Sequence, residues 1–113
     1  MFKLLSIVLA TMLIAASYGL MAGGYADKPE LIEDPTVKGL AVYAAEHLAM
    51  TQNIVLNNIE VTGVQTQVVA GMNYRIDFTG KTVNSPIAKT KSCQVVIYVR
   101  FNSTKKVTSA KCN

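Results

Sequence analysis

The sequence has no tryptophan and is poor in cysteine, histidine and charge. Of 113 residues, two are cysteine, one is histidine and 16% are charged. Two cysteines and the distant His47 match no zinc-ligand spacing, so we expect no metal site. No nucleophile is paired with a base and no two carboxylates are placed for acid–base catalysis, which argues against an enzyme. We therefore predict a binding protein that needs no cofactor.

Positive charge is in slight excess but is not concentrated. Eleven basic and seven acidic residues give a net charge of +4. The lysines form no run and accompany no nucleic-acid motif, so we expect no nucleic-acid partner. A solvated surface is the expected use of these charges. The length and the apolar half of the composition suit one small domain.

The N-terminus has the pattern of a secretory signal peptide. The basic start Met1–Lys3 precedes the apolar run Leu4–Ala16, and small residues follow. The run is shorter than the roughly 20 residues that a membrane helix needs. We predict a signal peptide over residues 1–19; cleavage as late as Ala22, or an uncleaved anchor, are the alternatives. Residues 20–113 would then form one secreted, extracellular domain with no membrane association.

One helix is predicted after an acidic segment. Asp34 is a good N-cap and Pro35 fits the first helical position. From Thr36 to about Ala49, apolar residues recur at spacings of three and four and define one face. These residues are Val37, Leu40, Ala41, Ala44 and Leu48. Gly39 weakens the helix, and its small size would allow a sheet to lie close to it.

Alternating apolar and polar residues predict a first antiparallel hairpin. The runs Leu56–Thr62 and Met72–Phe78 flank the Gly-containing segment Gln67–Gly71. The segment is unusual because its tip is Val-Val-Ala-Gly, whereas turns usually carry Asn, Asp, Ser or Pro beside Gly. Such an apolar tip either folds back onto its own core or is covered by a partner.

A second hairpin is predicted at the C-terminus. The strands Ser92–Arg100 and Lys105–Cys112 are joined by the short connection Phe101–Thr104. Cys93 and Cys112 lie at the open ends of this hairpin, where a disulfide would staple it. In a small secreted domain this is the expected use of two cysteines, and it would contribute roughly 3 kcal/mol by chain-entropy estimates.

The segment Gln67-Val68-Val69-Ala70-Gly71 resembles the central motif of the cystatins, inhibitors of papain-like cysteine proteases. Met21-Ala22-Gly23 is similar to the apolar residues and glycine of the cystatin N-terminal binding segment. Cys93–Tyr98 resembles the strand that carries the first cysteine of the last cystatin disulfide. The resemblance covers nearly the whole mature chain. It implies an α+β fold in which one long helix packs across a curved antiparallel sheet of four to five strands.

The resemblance also implies how the chain would act. Met21-Ala22-Gly23, Val68-Val69-Ala70-Gly71 and Phe101-Asn102 would line one edge and enter the active-site groove of a papain-like protease such as a cathepsin. Binding would be reversible and would involve no chemistry. Gln67 would fix the hairpin or meet the rim of the groove, and Gly71 would serve backbone geometry. We expect a monomer, with a domain-swapped dimer as the alternative.

The chain departs from the family pattern in two places. The segment Lys81–Lys91, predicted as a loop, has no cysteine, so the first of the two disulfides usual in secreted cystatins is absent. Phe101-Asn102 stands where the family commonly carries Pro-Trp, and aromatic anchors often dominate interface energetics. This change favours an alternative, a cystatin-fold secreted protein with weak or no protease inhibition that acts as an antimicrobial or protein-binding module. The intact central motif opposes it.

The second hairpin also carries an N-glycosylation sequon, Asn102-Ser103-Thr104. Exposed turns in secreted proteins are where such acceptors are modified. A glycan on Asn102 would stand beside the predicted binding edge and would weaken entry into a narrow cleft. The alternative is that the sequon is unused.

Overall fold

One helix and five strands make up the fold of the residues that the structure describes. The computed structural model describes residues 24–113, so the predicted signal peptide and Met21–Gly23 lie outside the described residues. The elements in chain order are β1 Ala26–Asp27, a 3₁₀ helix Pro29–Leu31, α1 Pro35–Gln52, β2 Leu56–Val69, β3 Gly71–Thr82, β4 Thr90–Val99 and β5 Lys105–Cys112. The predicted α+β class, with one long helix and an antiparallel sheet, is confirmed.

The helix α1 begins as its sequence predicts. The Asp34 carboxylate accepts a hydrogen bond of 3.1 Å from the Val37 backbone N–H, which satisfies one of the free donors of the first turn. The helix ends at Gln52, slightly later than predicted. Asn53 follows in the left-handed conformation (φ 55°), and its N–H reaches the Leu48 carbonyl. Between residues 24 and 113, no helix combines the length and apolar character needed to cross a membrane.

The inner face of the sheet packs on the predicted apolar face of α1. All five residues of that face are at most 5% exposed. The sheet contributes alternate residues of its central strands: Val61, Val64, Ile76, Phe78, Cys93, Val95 and Ile97. Burying a large apolar side chain contributes about 1.5–3 kcal/mol, so this layer provides most of the driving force for folding. Among residues 24–113, no helix lies on the opposite, outer face of the sheet, which is mainly polar.

The expectation that the small size of Gly39 lets the sheet lie close to the helix was wrong. The residue is exposed, and a Cβ atom built there would have no heavy atom within 4 Å. The reason is helical geometry: the buried stripe is centred on Ala41 and Ala44, and position 39 lies on the opposite side of the helix.

The strands lie in the sheet in chain order, each antiparallel to its neighbours. Pairing of β2 with β3 continues to Val69 and Gly71, so only Ala70 connects them. Met72 pairs with Val99, the last residue of β4. The β2–β3 turn and the β4–β5 turn therefore lie at the same end of the sheet, which we call the hairpin edge. Irregular register in the first half of β2 adds the curvature expected of β-bulges.

The other end of the sheet holds the disulfide. Cys93 and Cys112 are cross-strand partners in β4 and β5 and are bonded to each other, as predicted. Two contacts from α1 also reach the edge strand β5: the Tyr43 hydroxyl donates to the Lys105 carbonyl (3.4 Å), and the Gln52 amide donates to the Ala110 carbonyl (3.0 Å). The mostly exposed β5 is thus held at several points along its length.

Candidate functional site

The tip of the β2–β3 hairpin is apolar and exposed. Val68 is 76% exposed and Val69 is 38% exposed, and Ala70 is also exposed. The tip therefore does not fold back onto the core, which was one of the two interpretations of its composition. An apolar protrusion in water gains free energy when a partner covers it.

Gly71 lets the tip lie close against the neighbouring hairpin. Its φ is +122°, a conformation that side chains disfavour. A Cβ atom there would collide with the Val99 carbonyl oxygen and lie 3.2 Å from Arg100 Cα. The Tyr98 hydroxyl donates a hydrogen bond to the Ala70 carbonyl. Strand β4 thus braces the tip of the first hairpin directly.

Gln67 contacts its partner across the same hairpin. The Asn73 side-chain amide donates to the Gln67 side-chain oxygen over 3.0 Å, and the two residues are cross-strand neighbours. Both side chains are half-buried. This contact supports the first of the two roles predicted for Gln67, that of fixing the hairpin.

The tip of the β4–β5 hairpin is a compact polar turn that presents one aromatic ring. Phe101 is 84% exposed. The Arg100 N–H donates to the Thr104 carbonyl (2.8 Å), and Ser103 takes a positive φ of 68°. The Asn102 side-chain oxygen accepts a hydrogen bond from the Thr104 N–H (3.1 Å). Hydrogen bonds within the turn therefore hold its shape, while Phe101 and Asn102 are exposed to solvent.

The structure brings two of the three predicted binding elements together. The tips Val68–Gly71 and Phe101–Asn102 both lie at the hairpin edge. The third element, Met21–Gly23, lies outside the described residues. Strand β1 nevertheless runs antiparallel to β2, with Ala26 opposite Thr66. Followed back towards its N-terminus, the described chain therefore heads for the same edge.

A polar row on the outer face was not predicted from the sequence. Asp27, Gln65 and Arg75 are successive cross-strand partners on β1, β2 and β3. The Gln65 side chain is hydrogen-bonded to both Asp27 and Arg75, and Arg75 also covers the Tyr25 ring. The available signal was the alternation of polar residues in β2 and β3, but this does not tell which of them meet.

The site is a protrusion and not a pocket. A cavity of about 440 Å³ lies on the outer face, bordered by Asp77, Gln94 and Lys111 near the disulfide end of the sheet. Between residues 24 and 113, no three side chains of the metal-binding types are grouped where they would hold an ion. The exposed groups at the hairpin edge suit recognition by a concave partner surface.

A family model, the cystatin domain, matches residues 23–113. The chain belongs to the cystatin family. Cystatins inhibit cysteine proteases and are not enzymes, which agrees with the prediction made from the missing catalytic groups. A comparison with curated proteins found no match.

Solved cystatin structures share the fold. Mialostatin, a gut cystatin from the hard tick Ixodes ricinus, is 24% identical with a TM-score of 0.63, covering 80% of this chain and 97% of the tick chain. A salivary cystatin from the soft tick Ornithodoros moubata is 24% identical with a TM-score of 0.66 and the same coverage. Dimeric human cystatin F is 18% identical with a TM-score of 0.62, covering 80% of this chain and 86% of the human one.

Proposed function

We propose that this cystatin is a secreted, reversible inhibitor of papain-like cysteine proteases such as cathepsins. The observation that carries the proposal is the exposure of Val68 (76%) and Phe101 (84%) at the same end of the sheet. The hairpin edge would enter the protease groove and cover the catalytic cysteine without offering a bond to cleave.

The energetics of the edge favour such a fit. Complete burial of one exposed valine contributes about 1.5 kcal/mol, and Phe101 offers a larger apolar area. The Tyr98 hydroxyl and the pair Gln67–Asn73 hold the central tip in place before any partner arrives. A preformed tip loses little conformational entropy on binding, so more of its contact energy appears as affinity.

The N-terminal segment completes the proposal. Met21-Ala22-Gly23 would contact the protease beside the two tips, and the direction of β1 supports this placement. Residues 1–19 would be the signal peptide, with Ala22 as the alternative cleavage limit, and residues 20–113 the secreted domain. Cleavage after Ala22 would remove the apolar part of the segment. The disulfide is consistent with secretion, since such bonds persist in oxidising compartments.

The alternative is a cystatin that binds another protein or has antimicrobial activity without strong protease inhibition. It is favoured by Phe101-Asn102 in the place where the family commonly has Pro-Trp. The exposure of Phe101 weakens this alternative, because an aromatic ring is still presented at the second tip.

Inhibition of a papain-like endopeptidase by the mature, oxidised protein tests the proposal. A Val68→Asp variant would bring an unpaired carboxylate into the groove, so we expect the inhibition constant to rise about a hundredfold or more. Val83→Asp is the matched control, because Val83 is 50% exposed but lies in the β3–β4 loop at the far end of the sheet. Its inhibition should equal that of the native chain. A folded native protein that does not inhibit would favour the alternative.

Glycosylation of Asn102 would regulate the same edge. The residue is exposed beside Phe101, in a turn already closed by its own side chain. Protein secreted from a glycosylating host should therefore inhibit less strongly than the same protein after enzymatic deglycosylation. An Asn102→Gln variant from that host should match the deglycosylated sample. Equal inhibition by the glycosylated and deglycosylated forms would contradict this role, and a native protein without glycan would show that the sequon is unused.

The active species is proposed to be a monomer. The alternative is a dimer formed by exchange of a hairpin between two chains; one structural neighbour, human cystatin F, is dimeric. Light scattering at the concentrations used for inhibition would separate the two states.

A further inference from the structure

The two-residue strand β1 has little backbone or apolar support of its own. Both residues of β1 are exposed, and within residues 24–113 they pair only with Gln65 and Thr66 of β2. One more backbone hydrogen bond, from the Lys28 N–H to the Val64 carbonyl (2.9 Å), follows the strand. A strand this short is weakly held by its ladder alone, so side chains must contribute to its position.

A chain of side-chain contacts on the outer face supplies this support. The Gln65 amide donates to the Asp27 carboxylate over 2.8 Å. The Arg75 Nε–H donates to the Gln65 side-chain oxygen over 2.6 Å. Gln65 therefore uses both ends of its amide to connect β1 with β3, and hydrogen bonds to charged partners are the stronger kind.

Arg75 makes a second contact with the segment before β1. Its guanidinium carbon lies 4.2 Å from the centre of the Tyr25 ring, within the range of a cation–π interaction. Arg75 and Tyr25 are both half-buried, which limits screening by water. A single arginine on the central strand β3 thus contacts Tyr25, just before β1, directly. It reaches Asp27, the last residue of β1, through Gln65. We call these four residues, Tyr25, Asp27, Gln65 and Arg75, the outer-face clamp.

We propose that Arg75 is a positioning residue for inhibition: through the outer-face clamp it fixes Tyr25 and Asp27, where the described chain runs back towards the hairpin edge. The inference rests on the proposed inhibitory function, in which Met21-Ala22-Gly23 contacts the protease, and adds a residue that does not touch the protease. By fixing Tyr25 and Asp27 beforehand, the clamp lowers the conformational entropy that these two residues lose on binding.

The test measures Arg75→Ala in two backgrounds of the mature chain. In the native background, loss of both Arg75 contacts should raise the inhibition constant about tenfold. In a background carrying Met21→Gly and Ala22→Gly, the two residues proposed to contact the protease from this segment have lost their side chains. There, Arg75→Ala should change the inhibition constant by less than about twofold. If Arg75 acts by positioning Met21 and Ala22, its effect disappears once those side chains are absent. Equal effects in both backgrounds would overturn the proposal.

Two further variants separate positioning from general damage to the sheet. Tyr25→Phe keeps the ring under the guanidinium and should inhibit like the native protein, whereas Tyr25→Ala removes one of the two Arg75 contacts and should raise the inhibition constant by less than Arg75→Ala does. Gln94→Ala is the matched control, because it removes another outer-face hydrogen bond, to Asp77 (3.0 Å), without touching β1. It should leave inhibition unchanged.

Amide hydrogen exchange tests the clamp without any protease. In Arg75→Ala, the amides of Ala26 and Lys28, which face β2, should exchange at least several-fold faster, while the amides of Ile76 and Phe78 in the core should exchange as before. Unchanged exchange in β1 would overturn the inference even if inhibition fell. If the native protein does not inhibit, the proposed function fails and with it the positioning role, whereas faster exchange would still establish the clamp as a structural contact.

Discussion

At the scale of single residues, the candidate site depends on positions where a side chain is missing as much as on positions where one is present. Val68 and Phe101 present apolar area to solvent. Gly71 allows the first tip to lie close against β4 of the second hairpin, because it has no Cβ atom to collide with the Val99 carbonyl. Gly39 has open space around it and no comparable structural role.

Substitution of these two glycines should therefore have opposite effects. Gly71→Ala would force a side chain into a positive φ and against β4, so we expect a loss of about 1–3 kcal/mol in the free energy of unfolding together with weaker inhibition. Gly39→Ala should raise the free energy of unfolding by about 1 kcal/mol, because an exposed helical position gains from alanine. Urea unfolding of both variants measures these changes. A Gly71→Ala protein as stable and inhibitory as the native one would contradict the assigned geometry.

At the scale of secondary-structure elements, β5 is the longer of the two edge strands and is held to the rest of the fold at both ends. It forms an edge of the sheet, and most of its residues are exposed. The disulfide fixes its C-terminal end to β4, whereas the turn at Phe101–Thr104 fixes its other end.

Replacing Cys93 and Cys112 together by serine should lower the free energy of unfolding by roughly 3 kcal/mol, the chain-entropy value for a loop of this size. The disulfide lies at the end of the sheet remote from the hairpin edge. Inhibition measured at a temperature where the variant is folded should therefore stay close to that of the native protein. Urea unfolding gives the free energy of unfolding, and a protease assay at low temperature gives the inhibition constant. A variant as stable as the native chain would show that the disulfide is not what holds β5.

Secondary-structure elements that are specified by neighbouring residues in the sequence were predictable. The helix α1 was placed by the Asp34 cap and by apolar spacing, and the two hairpins by alternation around short connections. Strand β1 was not predicted, because two residues, Ala26–Asp27, carry no period. The full length of β2 was missed for a related reason: its register is irregular near Asn57 and Thr62, which breaks the alternation that a strand prediction uses.

Within the candidate site, too, the part specified by neighbouring residues was predictable and the part formed across strands was not. The motif Gln67–Gly71 gave the position of the central tip, and its apolar character indicated an exposed binding surface. The outer-face clamp could not be found from the sequence. Arg75 is separated by ten residues from Gln65 and by much more from Tyr25, and their meeting depends on the register of three strands.

At the scale of the whole molecule, stability and recognition are located in different regions. The core lies between α1 and the inner face of the sheet. The hairpin edge lies at the ends of the strands, and its most exposed side chains, Val68 and Phe101, are absent from that core. Changes to these two side chains should therefore alter binding without altering folding.

Phe101→Ala tests this separation. The side chain is 84% exposed, so its removal should leave the thermal unfolding midpoint within about 2 °C of the native value. Loss of an aromatic anchor should raise the inhibition constant about tenfold. Differential scanning calorimetry and an inhibition assay on one preparation give both results. An unchanged inhibition constant would mean that the second tip does not contact the protease.

The position of Asn113 has a practical consequence. Asn113 follows directly on Cys112, and its N–H bonds to the Ser92 carbonyl at the disulfide end of the sheet. Strand β5 has eight residues and so separates Asn113 from the second tip by roughly 26 Å. An affinity tag, a fluorescent label or a surface linkage joined to Asn113 would point away from the hairpin edge. The protein can therefore be immobilised, or linked in tandem to a second copy, with its recognition edge left open.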